Sequence, residues 1–225
     1  MRSSELRGKP IAGEGAPGWR LARFIRSVIA PAALRLYRTR FLGVENLPAG
    51  PVILAGNHVS YLDPVLLWAG SARPLHFVAK AELWEVGWLG WALDHFWAIP
   101  VRRATADREM IAAATALLER GESLGMFPEG TRKRDADSGE LGEAQGGVAF
   151  IALRADVPVV PVGIAGTDKA LPAGAKVPRF PPVTFVFGSP VHPQDFDGGR
   201  KERMEAMTSE LMVRIAAARD SAKGA

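Results

Sequence analysis

The stretch PVILAGNHVSYLDP, Pro51–Pro64, sets an apolar run directly against a polar one. Val52 to Ala55 carry no polar side chain, as expected of a strand buried on both faces of a sheet. Asn57, His58 and Asp63 follow at once, where that strand should end. A polar stretch past the carboxyl end of a buried strand is where α/β proteins hold ligands.

Outward from this point the alternation repeats. Strand-like runs occur at VILAGN, LHFVAK, FWAIPV, SLGMFP, VPVVPVGI and VTFVFG, with helical patterns at 63–70, 82–94, 105–120, 144–155 and 200–219. Thr105 is placed to cap the third of these helices and Gly121 to stop it. Val- and Ile-rich strands separated by helices predict an α/β fold with a largely parallel central sheet flanked by helices. His58, Arg103 and Glu129 each follow a different strand end, so three polar groups converge on one edge.

Ahead of this domain lies WRLARFIRSVIAPAALRLYRTRF, Trp19–Phe41. Trp19, Ala22, Ile25 and Val28/Ile29 recur every three or four residues, and Arg20, Arg23 and Arg26 take other angles. The pattern is an amphipathic helix, interrupted at Pro31. Residues 1–45 hold nine Arg/Lys against three Glu, a net +6 in a chain whose total is +4, so the remainder is slightly acidic. A localised basic, amphipathic arm suits an anionic lipid surface, with a helix docked on the domain as the plainer alternative. Nucleic acid fits less well, because the domain behind the arm is acidic.

The organisation read from these patterns is a flexible lead-in at 1–17, a helical arm at 18–41, a domain at 42–219 and a tail at 220–225. Residues 1–17 contain no apolar segment of the secretory kind, and no run of about 18 apolar residues occurs. The expectation is an intracellular chain. With no cysteine, disulfides, thiolate nucleophiles and zinc–thiolate sites are excluded, and the four histidines are too scattered to suggest a metal by spacing. Trp84, Trp88, Trp91 and Trp97 crowd into 83–97, which reads as core packing or as an apolar wall or interfacial belt.

Two stretches carry the chemistry. A neutral imidazole takes a proton from a hydroxyl as that hydroxyl attacks, and a carboxylate on its other nitrogen fixes the tautomer. If the chain turns near Ser60–Asp63, Asp63 folds back on His58 and makes a dyad whose nucleophile is the substrate's own hydroxyl. Alternatively, Asp63 caps the helix that begins at Pro64 and His58 is a bonded loop residue. Ser60 is a possible nucleophile that nothing marks out. In MFPEGTRKR, Met126–Arg134, Gly130 lets backbone approach a ligand, and Arg132, Lys133 and Arg134 supply cations suited to phosphate. Glu129 reads as an organiser or an acceptor for a substrate hydroxyl. Arg103, just beyond AIPV, would complete a two-arginine clamp with Arg132.

NHVSYLDP, an arginine after FWAIPV, FPEGTR and VPVVPV, in this order, resemble the four blocks of the glycerolipid acyltransferase family, and within it the bacterial 1-acylglycerol-3-phosphate acyltransferase branch. The resemblance covers about residues 42–190. It implies an acyl thioester donor, acyl-CoA or acyl-carrier protein, as co-substrate, a lysophospholipid acceptor and no resident metal or cofactor. Carried over by position, His58 is the base and Asp63 its partner. Arg103 and Glu129, Gly130, Thr131 and Arg132 bind the phosphorylated acceptor, and Pro161 belongs to the fourth block. The arm at 18–41 matches the family's membrane-docking helices and implies a peripheral enzyme of the cytoplasmic membrane face. Two departures stand out. Trp97 and Ala98 occupy a stretch where a glycine is usual, and Ala144 and Gln145 stand where a phenylalanine–lysine pair is common.

Overall fold

The computed structural model describes residues 19–71, 75–102, 108–130, 144–170 and 179–225; Thr105 lies outside them. All six apolar runs form strands: β2 (Ile53–Gly56), β3 (Leu75–Lys80), β4 (Ile99–Val101), β5 (Ser123–Met126), β6 (Val159–Ala165) and β7 (Thr184–Phe187). A seventh, β1 (Arg40–Leu42), was hidden in the arm, because three residues show no periodicity. The helices are α1 (Trp19–Phe24), α2 (Ala30–Leu36), α3 (Leu62–Gly70), α4 (Gly87–His95), α5 (Arg108–Glu119), α6 (Gly147–Ala155) and α7 (Arg200–Gly224). The helical arm therefore ends at Leu36. The expected tail at 220–225 is mostly the last turn of α7, with Ala222 buried.

The strand order is β1-β7-β6-β2-β5-β3-β4, parallel throughout except for the antiparallel β6–β7 pair. β2 lies at the centre, which is why every one of its residues is buried. From β2 the chain leaves through α3 toward β3 on one side, and from β5 it leaves through α6 toward β6 on the other. The carboxyl ends of β2 and β5 thus flank a switch point, where a crevice opens in sheets of this kind.

α7 covers one face through Met207, Leu211, Ile215, Ala218 and Ala222, a stripe at spacing three and four. Burying each of the larger three contributes about 1.5–3 kcal/mol. Its backbone comes so close to β6 that a Cβ on Gly163 would stand 2.0 Å from the carbonyl carbon of Ala218. Glu202 starts the helix by accepting the Gly199 N–H at 2.9 Å.

The arm breaks its α geometry at Ile25–Ile29, which takes the wider π form just before Pro31. Proline lacks the N–H that would close the next turn, so the ladder changes register there. The arm docks by small residues: Ala22 and Ala30 are buried, while Phe24, Val28, Ile29 and Leu36 are about half exposed or more. Arg26 turns inward, its guanidinium 5.2 Å from the Trp68 ring centroid, and burial lowers its pKa from the usual value.

Trp97 is buried and sits at φ +56°, a conformation that favours glycine. Its carbonyl lies 3.0 Å from Nδ1 of the fully buried His76, whose Nε2 is 2.6 Å from Glu122 Oε2. A buried histidine bridge thus holds the backbone at the position where the resemblance leads one to expect glycine. The other tryptophans part company: Trp88 is 74% exposed and Trp91 55%, so core packing accounts for only part of the group.

Candidate active site

Past Gly56 the β2 backbone stops pairing, and the Asn57 side chain takes over. Its Oδ1 accepts the Ile164 N–H at 2.8 Å and its Nδ2 donates to the Ile164 carbonyl at 3.0 Å. Gly56 pairs with Val162, so the register would set Asn57 opposite Gly163, and its amide reaches Ile164, one residue further along β6. This two-point clamp fixes where the polar turn leaves the sheet.

The turn brings His58 and Asp63 together, with Nδ1 of the ring 2.8 Å from Oδ2 of the carboxylate. Oδ2 also accepts the N–H groups of Val59 and Ser60, each at 2.8 Å. One carboxylate therefore closes the turn and holds the ring. The alternative of Asp63 as a cap of a helix from Pro64 does not hold: the helix starts at Leu62, Asp63 lies within its first turn, and its carboxylate bonds no helix N–H. Asp63 is fully buried, and a carboxylate can only accept. Nδ1 is therefore the donor, which leaves Nε2 of a neutral ring as an acceptor with its lone pair uncommitted to Asp63. The His58 side chain is 17% exposed, enough for a substrate hydroxyl to reach it. Ser60 is otherwise engaged: its hydroxyl accepts the Leu62 N–H at 3.3 Å.

β5 supplies the other wall. The His58 ring stacks on Phe127 with centroids 4.1 Å apart and 15° between planes, and Phe127 stacks on Phe77 at 6.0 Å. That second ring fills the space of a Gly125 Cβ, which would meet it at 2.3 Å. Phe127–Gly130 then turns, closed by the Gly130 N–H on the Phe127 carbonyl at 3.0 Å, with Gly130 at φ +62°. The turn aims buried Glu129 at β2, where its Oε1 accepts the backbone N–H of His58 at 3.3 Å. Glu129 in this position organises the loop. The Gln145 side chain lies against Gly130, 3.0 Å from where a Cβ would sit.

Arg103, Thr131 and Arg132, together with Lys133 and Arg134, lie outside the described residues. Asn57 and Thr167 are the groups the sequence reading left without a role. Thr167 is fully buried after β6, and its hydroxyl donates to Asp63 Oδ1 at 2.5 Å. Asn57 was visible inside the quoted motif; Thr167, 104 residues from its partner, gave no local signal. No cluster of three or more His, Asp or Glu suited to a metal occurs among the described residues.

A histidine–carboxylate pair thus stands at the carboxyl end of a central parallel strand, faced by a Pro-Glu-Gly turn, an arrangement able to take a proton from a hydroxyl. The family model described as Acyltransferase matches residues 38–165, and the chain belongs to that family. A 1-acyl-sn-glycerol-3-phosphate acyltransferase of Bacillus subtilis is 32% identical over 76% of this chain and 83% of its own length. A lyso-ornithine lipid O-acyltransferase of Pseudomonas aeruginosa is 35% identical over 76% of this chain and 70% of its own. The chain spans only about two fifths of the longer chloroplast relatives, 41% of the Brassica napus 1-acyl-sn-glycerol-3-phosphate acyltransferase, to which it is 33% identical over 62% of its length. In fold, it resembles the 1-acyl-sn-glycerophosphate acyltransferase PlsC of Thermotoga maritima, with a TM-score of 0.68, 24% identity and coverage of 90% and 81% of the two chains.

Proposed function

We propose that the protein is an O-acyltransferase that moves a fatty acyl group from acyl-CoA or acyl-carrier protein to the free hydroxyl of 1-acylglycerol-3-phosphate, forming phosphatidate. The observation that carries this reading is the His58–Asp63 pair, whose Nε2 faces no serine or cysteine of the chain's own within the described contacts. The acceptor's hydroxyl oxygen attacks the thioester carbonyl carbon while Nε2 takes its proton. The tetrahedral oxyanion collapses, the C–S bond breaks, and the imidazolium returns the proton to the departing thiolate. Asp63 stabilises the imidazolium between these steps, and Phe127 offers its ring face to the same cation. The oxyanion requires hydrogen-bond donors, as acyl transfer does generally, and the N–H groups of His58, Val59 and Ser60 are already committed to Glu129 and Asp63. Arg103 and Arg132 are assigned to the acceptor phosphate on their motif positions. The donor enters as a co-substrate and no resident cofactor takes part.

The exposed side chains of the arm support a position for this site at a lipid surface. Phe24, Val28, Ile29 and Leu36 face solvent beside exposed Arg20 and Arg23, a combination suited to acyl boundary and anionic headgroup together. α4, which packs near α1, adds Trp88 and Trp91. No helix among the described residues is long and apolar enough to cross a membrane, and the proposed attachment is peripheral, on the cytoplasmic face.

A second acceptor has a specific support. Gln145 beside Gly130 is neutral where the family pattern described above has lysine, and one of the more similar relatives is named for a lyso-ornithine lipid. Thiol release from palmitoyl-CoA, and from palmitoyl-acyl-carrier protein, with lysophosphatidate, lysophosphatidylglycerol or lyso-ornithine lipid decides between them. Release with lysophosphatidate alone supports phosphatidate synthesis, and release with lyso-ornithine lipid alone reassigns the pocket. Equal release by wild type and His58→Ala removes the catalytic reading.

A further inference from the structure

The carboxylate of Asp63 is held from two directions. Its Oδ2 takes the three local bonds from His58, Val59 and Ser60, and its Oδ1 takes a single distant one from Thr167. The three local bonds hold Oδ2, since turning the carboxyl plane about the Cβ–Cγ bond would carry that oxygen away from all its donors, but they give the buried Oδ1 no partner. The Thr167 hydroxyl supplies that partner and braces the plane from its second side.

The fold goes to some trouble to deliver this donor. β6 ends at Ala165, and Gly166 reverses the chain at φ +95°, where a Cβ would stand 2.1 Å from the Pro182 carbonyl oxygen. The next residue is Thr167, opening a short 3-10 turn to Lys169 with its side chain wholly buried. The same strand end carries Ile164, which clamps Asn57. The reacting turn is thus pinned to β6 both before and after the histidine. Thr167 lies just beyond the span 38–165 matched by the family model.

We propose that Thr167 is a positioning residue: its buried hydroxyl donates to Asp63 Oδ1 and fixes the carboxylate so that Oδ2 meets His58 Nδ1. The consequence is a single tautomer of His58, with its acceptor nitrogen outward. A buried methyl in place of the hydroxyl also leaves Oδ1 without a donor in a site with no water access through Thr167. This inference rests on His58 acting as the base, and the test separates the two.

Three variants are compared with wild type: Thr167→Val, which keeps shape and removes the donor, Thr167→Ser, which keeps the donor, and His58→Ala. Turnover is followed with palmitoyl-CoA and whichever lysolipid supports it, and the His58 tautomer by 15N chemical shifts in histidine-labelled protein. Thr167→Val is expected to lose roughly tenfold to a hundredfold in kcat with KM within about twofold, since a hydrogen bond to a charged group is lost. Its His58 nitrogens should move toward averaged shifts, and Thr167→Ser should restore both rate and shifts. An inactive His58→Ala beside a Thr167→Val with wild-type rate and wild-type shifts overturns the proposal and leaves the base in place. A fully active His58→Ala overturns the catalytic reading, and the nitrogen shifts of Thr167→Val still decide whether the hydroxyl sets the tautomer. If Thr167→Val does not fold, the wild-type protein decides: a slowly exchanging Thr167 hydroxyl proton is expected, and its absence overturns the proposal.

Discussion

The ends of β2 and β6 and the arm at 19–36 solve opposite problems. Around Asp63 the polar groups each have a named partner in a largely buried network: Asn57 on Ile164, Thr167 and three turn groups on the carboxylate, and Glu129 on the His58 N–H. In the arm the fully buried residues are small, Ala22 and Ala30; Ile25 and Leu34 pack partly against the core, and Phe24, Val28, Ile29 and Leu36 look outward. A buried polar network has one low-energy arrangement, because any rotation strands a donor or acceptor in a dry place. A helix docked by alanines gains little from any single contact and keeps its large side chains for another surface. The first region has the rigidity that proton transfer needs. The second has the exposed apolar area that a bilayer interface takes up.

Breaking the polar region should cost most. His58→Ala is expected to lower kcat by about a thousandfold, in the middle of the range for a general base, with an unchanged circular dichroism spectrum. Residual activity near that of wild type in the thiol-release assay would place the base elsewhere. Next, Gly163→Ala forces α7 off β6 and should cost about 3 kcal/mol, read as a drop in the urea midpoint. An unchanged midpoint would mean that α7 slides without loss. Asn57→Ala leaves the Ile164 N–H and carbonyl without their partner and should cost about 2 kcal/mol. It should also lower kcat, since the turn it anchors carries His58; a stability loss with full activity would separate the clamp from the site.

The arm should answer in the reverse sense. Val28→Ser combined with Phe24→Ser should leave the urea midpoint within about 0.5 kcal/mol, as exposed substitutions do. Vesicle co-sedimentation should fall by roughly tenfold or more on anionic lipid, from the apolar area withdrawn. Unaltered vesicle binding would remove the arm from the lipid surface. Trp88→Ser on α4 is the mildest change: thermal stability is expected to hold within about 0.5 kcal/mol, with a few-fold loss in the same co-sedimentation assay. A large stability loss would show that Trp88 packs on something in solution.

The alternation of apolar runs and helical patterns was readable because parallel strands buried on both faces must be apolar throughout, as Ile53–Gly56 and Val159–Ala165 are. The His58–Asp63 contact was readable because five residues span one turn, so both partners are written in the same short stretch. Local chemistry of this kind is carried by the amino-acid sequence itself. What the tertiary structure alone decided is which distant groups complete it. β1 is too short to show a pattern and exists only because β7 accepts it. Which arm residues face water follows from where α1 meets the domain, since an amphipathic pattern names a face without naming its partner. The tryptophans at 84–97 split between core and surface for the same reason. Thr167 and Ile164 reach the site across more than a hundred residues, by strand order and a reversal at Gly166. Neither composition nor spacing encodes that placement, because a hydrogen bond between remote residues exists only once the sheet has brought their strand ends together.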